Sequence, residues 1–154
     1  MSLNKSTLHT ELSKFFDSES PNFVGMPQTF KESAEKWSNA INMYAKEIEV
    51  GSTTSEIAKK TFKYTYMLGQ APNAMIAILP LCFQQYAIML SLGISKSYVS
   101  VPPVLSLILQ PVFMLGMTGM KSNVILDKLV DLIDLWFRTG FTINIESGKF
   151  QFWK

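Results

Sequence analysis

Two stretches of this chain carry no charge. Residues 73–90 read NAMIAILPLCFQQYAIML, and residues 101–117 read VPPVLSLILQPVFMLGM. They constrain the fold more than any other feature, because segments so apolar must leave water, either into a protein core or into a bilayer. Spanning a bilayer takes roughly 20 mostly apolar residues, and both stretches approach that length. Both make poor spans. The first holds Pro80, Gln84 and Gln85; the second holds Pro102, Pro103, Gln110 and Pro111. Amides and broken helices are costly in lipid unless other protein groups satisfy them. The flanking segments carry apolar helical faces that need a partner. A central apolar pair wrapped by amphipathic helices answers both problems. The alternative is a transmembrane helical hairpin over 73–92 and 98–118, flanked on one side by Lys59, Lys60, Lys63 and Lys121.

A single mainly α domain is expected over residues 1–154: a bundle of about five to six helices around two apolar central segments, closed by a short C-terminal β-hairpin. The helices are expected near 5–16, 30–49, 54–69, 74–92, 103–117 and 123–138. The first carries Leu8, Leu12, Phe15 and Phe16 at helical spacing. The second is the clearest. Thr29 and Glu32 form a capping-box pair, and Gly51 stands where a terminating glycine belongs. Its apolar stripe is Phe30, Ala34, Trp37, Ile41, Tyr44 and Ile48, and Lys31, Glu35, Asn39, Asn42 and Lys46 face water.

Thr53 and Glu56 repeat the capping spacing ahead of a third helix, with Ile57, Thr61, Tyr64 and Leu68 expected inward. Asn73 could cap the fourth, which Pro80 is expected to kink or interrupt. Residues 93–103 read as a connection, and the fifth helical stretch is expected to break near Pro111. Ser122 opens the last helix, with Ile125, Leu129, Leu132, Ile133 and Trp136 on its apolar side. The period then changes. Phe141, Ile143 and Ile145 alternate, as do Phe150 and Phe152, around the turn ESGK, which predicts a hairpin over 141–153. A lone hairpin is marginal in water, so its aromatic face must lie on the helices or on a neighbouring subunit.

Fourteen Lys and Arg against twelve Asp and Glu leave a net charge of +2. That balance, with no dense basic run, argues against a nucleic-acid partner. Charged residues make up only 17% of the chain. So little charge implies either a large apolar interior or apolar surface that another chain covers, and a homo-oligomer is one such arrangement. The lone cysteine, Cys82, can form no internal disulfide and reads as a small buried hydrophobe. The N-terminal MSLNKSTLHTELSKFF lacks the apolar run of a secretory signal.

Little points to chemistry. His9, the only histidine, has no second candidate ligand nearby in sequence and reads as half-exposed and structural. Asp127, Asp131 and Asp134 share a helix face, which could be a metal-binding edge but by default is solvated. No phosphate-cradling glycine loop, GxSxG or HExxH is present, and LGMTGM lacks the following lysine of a P-loop. No catalytic residue, cofactor or metal is therefore expected. Met114, Met117 and Met120 recur every three residues, with Met67, Met75 and Met89 elsewhere. They read either as core filling or as an adaptable contact surface. The candidate interaction surface comprises Met114, Met117, Met120, Phe150, Phe152 and Trp153.

Three stretches in order carry a resemblance. ESAEKWSNAINMYA (32–45) resembles the Ser-Ala-x-x-Trp-x-x-Ala-x-x-x-Tyr-Ala pattern near the start of small virion structural proteins of contractile-tailed, myovirus-type bacteriophages. VPPVLSLILQPVF (101–113) is similar to their Pro-rich apolar middle. LVDLIDLWFRTGFTI (129–143), with Trp153 closing the chain, is similar to their last helix and C-terminal strand. The resemblance implies a non-catalytic virion or assembly component of the tail or baseplate type. It would be assembled in the host cytoplasm, with other phage structural proteins as partners. The membrane-hairpin alternative would instead imply a holin-like protein.

Trp37 supplies the first test. It stands mid-stripe, so it should anchor its helix against the apolar centre, with its indole N–H finding an acceptor such as a carbonyl freed by a proline break. Trp37→Ala is expected to cost about 3–5 kcal/mol in chemical denaturation. Trp153 is expected to matter less to the monomer than to assembly.

Overall fold

The computed structural model describes residues 3–46, 48, 52–70, 75–94, 96–104 and 119–154. Among these residues five α-helices and three strands follow one another: α1 (Lys5–Phe16), α2 (Phe30–Ala45), α3 (Ser52–Met67), α4 (Met75–Leu92), β1 (Tyr98–Val101), α5 (Ser122–Phe137), β2 (Phe141–Asn144) and β3 (Phe150–Phe152). A 3₁₀ turn, Leu68–Gln70, prolongs α3. The expected mainly α bundle with strands at its C-terminal end is what the chain forms. Residues 105–118 lie outside the described set, and with them most of the expected helix 103–117 and both Met114 and Met117. Gly51 and Asn73, expected to end α2 and to cap α4, also lie outside it.

Side chains start the first two helices. The Asn4 carboxamide oxygen accepts the backbone N–H groups of Ser6 and Thr7. Thr29 Oγ1 accepts the Glu32 N–H at 3.1 Å, and the Glu32 carboxylate accepts the N–H of Gln28 at 2.8 Å. That is the expected capping box, reaching one residue further back than usual. The helix stops at Ala45 rather than 49, although Ile48 is still buried. The next helix begins at Ser52, so Thr53 falls inside its first turn instead of capping it. The last helix is preceded by Lys121, which makes no side-chain cap bond, and Ser122 Oγ donates to Asp17 instead.

The centre of the bundle is α4. Cys82, Phe83, Tyr86, Ala87 and Leu90 have no exposed surface. Pro80 lies within this helix, which nevertheless runs unbroken from Met75 to Leu92. Around it pack α2, α3 and α5. Trp37 meets Phe83, Phe15 and Phe16 edge to face, which is the anchoring role expected of it. Met67, Met75 and Met89 pack against the same cluster, the core-filling reading of methionine. The stripe expected on α5 is also where the core lies, with Ile125, Leu129, Ile133 and Trp136 buried and Leu132 partly so.

The stripe expected on α3 is turned away from the core. Ile57, Tyr64 and Leu68 are exposed, and Ala58, Phe62 and Tyr66 are buried instead. The helix carries apolar residues on two faces, and the one packed against α4 is that of Phe62, which lacks the hydroxyl of Tyr64 and meets Phe83 edge to face at 5.3 Å. Asn42 is also misplaced by its polarity. It is buried on α2, where its side-chain oxygen accepts the Tyr86 hydroxyl at 3.0 Å. Asp134 is buried rather than solvated. It accepts the Tyr44 hydroxyl at 2.6 Å and Arg138 Nε at 2.8 Å, and Arg138 Nη2 donates to the Leu3 carbonyl at 3.0 Å.

The segment expected to be a mere connection supplies a strand. Residues Tyr98–Val101 pair antiparallel with β2, Val99 opposite Ile143 and Val101 opposite Phe141. The hairpin is therefore two strands of a three-stranded sheet, ordered β1-β2-β3. The turn is held by the Asn144 side chain, whose oxygen accepts the N–H groups of Glu146 and Ser147, and by Gly148 at φ 66°.

Pro102, Pro103 and Val104 leave the sheet in a non-helical path, and the last two offer their carbonyls to the bundle. Gln84 donates to the Pro103 carbonyl at 2.7 Å, and Trp136 Nε1 to that of Val104 at 3.2 Å. A carbonyl beside the proline pair does accept an indole, but from Trp136 rather than Trp37.

Trp153 corrects the expectation of an exposed assembly residue: only 3% of its surface is exposed. It follows Gln151 onto the inner side of the sheet by strand alternation, and its backbone N–H donates to Gly140 at 2.7 Å. A Cβ at residue 140 would come within 2.9 Å of Pro103 Cδ and closer still to the indole. Trp153→Ala is thus expected to destabilise the folded monomer by about 3–5 kcal/mol, read from denaturant midpoints, as core aromatic truncations do.

Burial also predicts how the fold fails in base. It pushes the Cys82 thiol up to about 12 and the Tyr44 and Tyr86 hydroxyls well above their ordinary range. The unfolded chain regains ordinary values, so above about pH 9 it binds fewer protons than the folded chain and stability falls as pH rises. Below that pH this contribution is fully present. Urea midpoints are expected to drop steadily between about pH 9 and 11, with tyrosinate absorbance from the buried hydroxyls appearing only as helix is lost.

Candidate interaction surface

Strand alternation sorts the sheet into two faces. Val99, Val101, Phe141, Ile143, Phe150 and Phe152 share one, because Phe141 lies opposite Phe152 and Ile143 opposite Phe150. Tyr98, Ser100, Thr142, Asn144 and Gln151 share the other. The polar face is the one turned toward the helices. Tyr98, Thr142 and the exposed Gln151 line a cavity of about 150 Å³ with Ile48, Ile94, Trp153, Lys154 and an edge of Phe152, and Ser100 Oγ is buried.

The apolar face looks outward. Val99 is 53% exposed, Phe150 49% and Phe152 53%. Ile145, just beyond β2, extends the patch and is exposed too. The aromatic rings order one another: Phe141 and Phe150 lie 4.8 Å apart between centroids, and Phe150 meets Phe152 edge to face at 4.8 Å. Apolar side chains on a two-sided sheet ordinarily pack inward. Here Val99, Phe150 and Phe152 are exposed, with Val101, Phe141 and Ile143 half-buried on the same face, a patch of the kind that marks contact with another molecule.

Two of the residues singled out in the sequence, Phe150 and Phe152, stand together on this face. Met120 does not. It is partly exposed on the loop entering α5. Trp153 lies behind the sheet. Val99 was missed as an exposed residue, and Val101, Phe141 and Ile143 as partly buried members of the same face; the alternation that groups the last two was visible, but not which side the sheet would show.

The acidic face of α5 divides. Asp127 accepts from or pairs with His9 Nε2 at 2.9 Å, and Asp131 pairs with Lys5, so the two link α5 to α1 from a solvent-exposed position. Exposed pairs of this kind hold little energy. Among the described residues no cluster of three or more His, Cys, Asp or Glu could hold a metal ion. Cys82, buried and with its thiol held protonated, is far from the thiolate that nucleophilic chemistry needs. Compared with known proteins, the chain matches no protein family, no curated sequence and no solved structure.

Proposed function

We propose that this chain is a non-catalytic structural or assembly subunit of a bacteriophage particle, of the contractile tail or baseplate. It works by presenting the outer face of its sheet to other subunits. The observation that carries the contact role is the aromatic pair Phe150 and Phe152, exposed on a sheet whose other side meets the buried Trp153. The resemblance of residues 32–45, 101–113 and 129–143 to small virion proteins supports the phage setting. Other phage structural proteins are the proposed partners, a second copy of the chain among them, and the virion is the proposed location.

The holin-like alternative draws no support from the backbone. No helix among the described residues is long and apolar enough to cross a membrane. The second proposed span, 98–118, begins with four residues that form β1.

Because Phe150 and Phe152 face outward, Phe150→Ser with Phe152→Ser should leave the melting temperature within a few degrees of the parent. In a phage encoding this chain, the protein is expected in washed particles by mass spectrometry. The double variant should lower the yield of complete particles at least about tenfold if those rings carry a hot spot. A chain absent from washed particles, or a double variant that assembles normally, would overturn the proposal.

A further inference from the structure

A second surface, remote in chemistry from the sheet, lies on the outer side of α3. Tyr64 is 73% exposed and Leu68 70%, one helical turn apart, with exposed Ile57 on the same line. Beside this stripe Lys31, Lys60, Lys63, Tyr64 and Met67 line a groove of about 450 Å³ between α2 and α3. Glu35 accepts Lys63, and that contact, with Lys59 and Lys31 close by, holds its pKa below the usual carboxylate range, while Glu56, exposed one helical turn before Lys60, is a further carboxylate on α3 outside the groove lining. Glu32 is likewise occupied by the Gln28 N–H and by Lys36. Lys31, Lys59 and Lys60 form no ion pair among the described residues, so the groove keeps a net positive charge beside an apolar ridge.

We infer that this face docks an acidic amphipathic helix of a protein partner. Its apolar residues would lie on Ile57, Tyr64 and Leu68, and its carboxylates would meet Lys31 and Lys60. Charge complementarity selects the sign of the partner. Concavity selects its class. A bilayer presses on what protrudes, whereas the lysines here line a groove walled by α2, which side chains can enter. Repeated apolar anchors along one helix line are the pattern by which a helix is read in a groove. The inference is independent of the phage reading and of the sheet surface.

The probe is a synthetic peptide with leucines at helical spacing and glutamates between them, labelled for fluorescence anisotropy. A twin with lysines in place of the glutamates is the control. The glutamate peptide is expected to bind the intact protein and to weaken about tenfold between about 50 and 300 mM salt, while the twin does not bind. Lys31→Glu with Lys60→Glu should weaken binding at least about tenfold, and Tyr64→Ser should weaken it at unchanged salt dependence. Lys31→Gln with Lys60→Gln serves if the charge reversal perturbs folding by circular dichroism. Phe150→Ser with Phe152→Ser should bind as the parent does. Equal binding of both peptides, binding of neither, binding unchanged in the lysine variants, or capture by phosphatidylglycerol vesicles in place of the peptide would each overturn the inference.

Discussion

The ring of Phe83 touches one aromatic side chain from each of three other helices. Trp37 of α2, Phe62 of α3 and Trp136 of α5 all meet it edge to face, at centroid distances of 6.3, 5.3 and 6.3 Å. Edge-to-face contacts fix angles as well as distances, because the positive rim of one ring must meet the negative face of the next. One side chain on the most apolar helix thus sets where three amphipathic helices can lie. The neighbours extend the same geometry: Tyr86 and Tyr44 both meet Phe137, and Phe15 meets Trp37. An interior built this way packs the most apolar helix against three others.

Such an interior is costly to unpaired polar groups, and several of the buried ones are paired between elements. Tyr86 reaches Asn42, Tyr44 reaches Asp134, and Gln84 and Trp136 take the carbonyls of Pro103 and Val104. The bond to Asp134 leaves a carboxylate in low dielectric, made tolerable by Arg138 on its other oxygen. The same arginine holds the chain start through Leu3, so one polar cluster joins α2, α5 and the segment before α1. The amides that make 73–90 a poor membrane span are, in part, the fastening of this core.

What the sequence discloses follows from how far each signal reaches. The stripe on α2 was legible because Ala34, Trp37, Ile41 and Tyr44 lie on one face and charges lie on the other. The α3 stripe was not, because Ile57, Tyr64 and Leu68 compete with Ala58, Phe62 and Tyr66, and only the facing helix decides between them. Four residues of β1 pair with a partner about forty positions away, without a turn between them to announce the pairing. Phe150 and Phe152 could be placed on one face of a hairpin by alternation alone. Alternation does not say which face water sees, and Trp153 was read as an assembly residue from its place near the chain end, whereas a glycine at 140 makes room for it within. Asn42 and Asp134 were read as solvated because a polar side chain betrays nothing of a hydroxyl that will meet it from another helix.

The bundle joins near neighbours and distant ones in different ways. The second, third and fourth helices follow one another in the chain and pack in that order, so they close through short loops. The first helix must find α5, and His9 meets Asp127 across 118 positions of sequence. Loop closure grows costlier with length, and contacts between distant segments form slowly. Contacts among α2, α3 and α4 are therefore expected to form ahead of the seam between α1 and α5. The buried faces of Leu8, Leu12 and Phe15, rather than the exposed ion pairs above them, decide how firmly that seam stays shut.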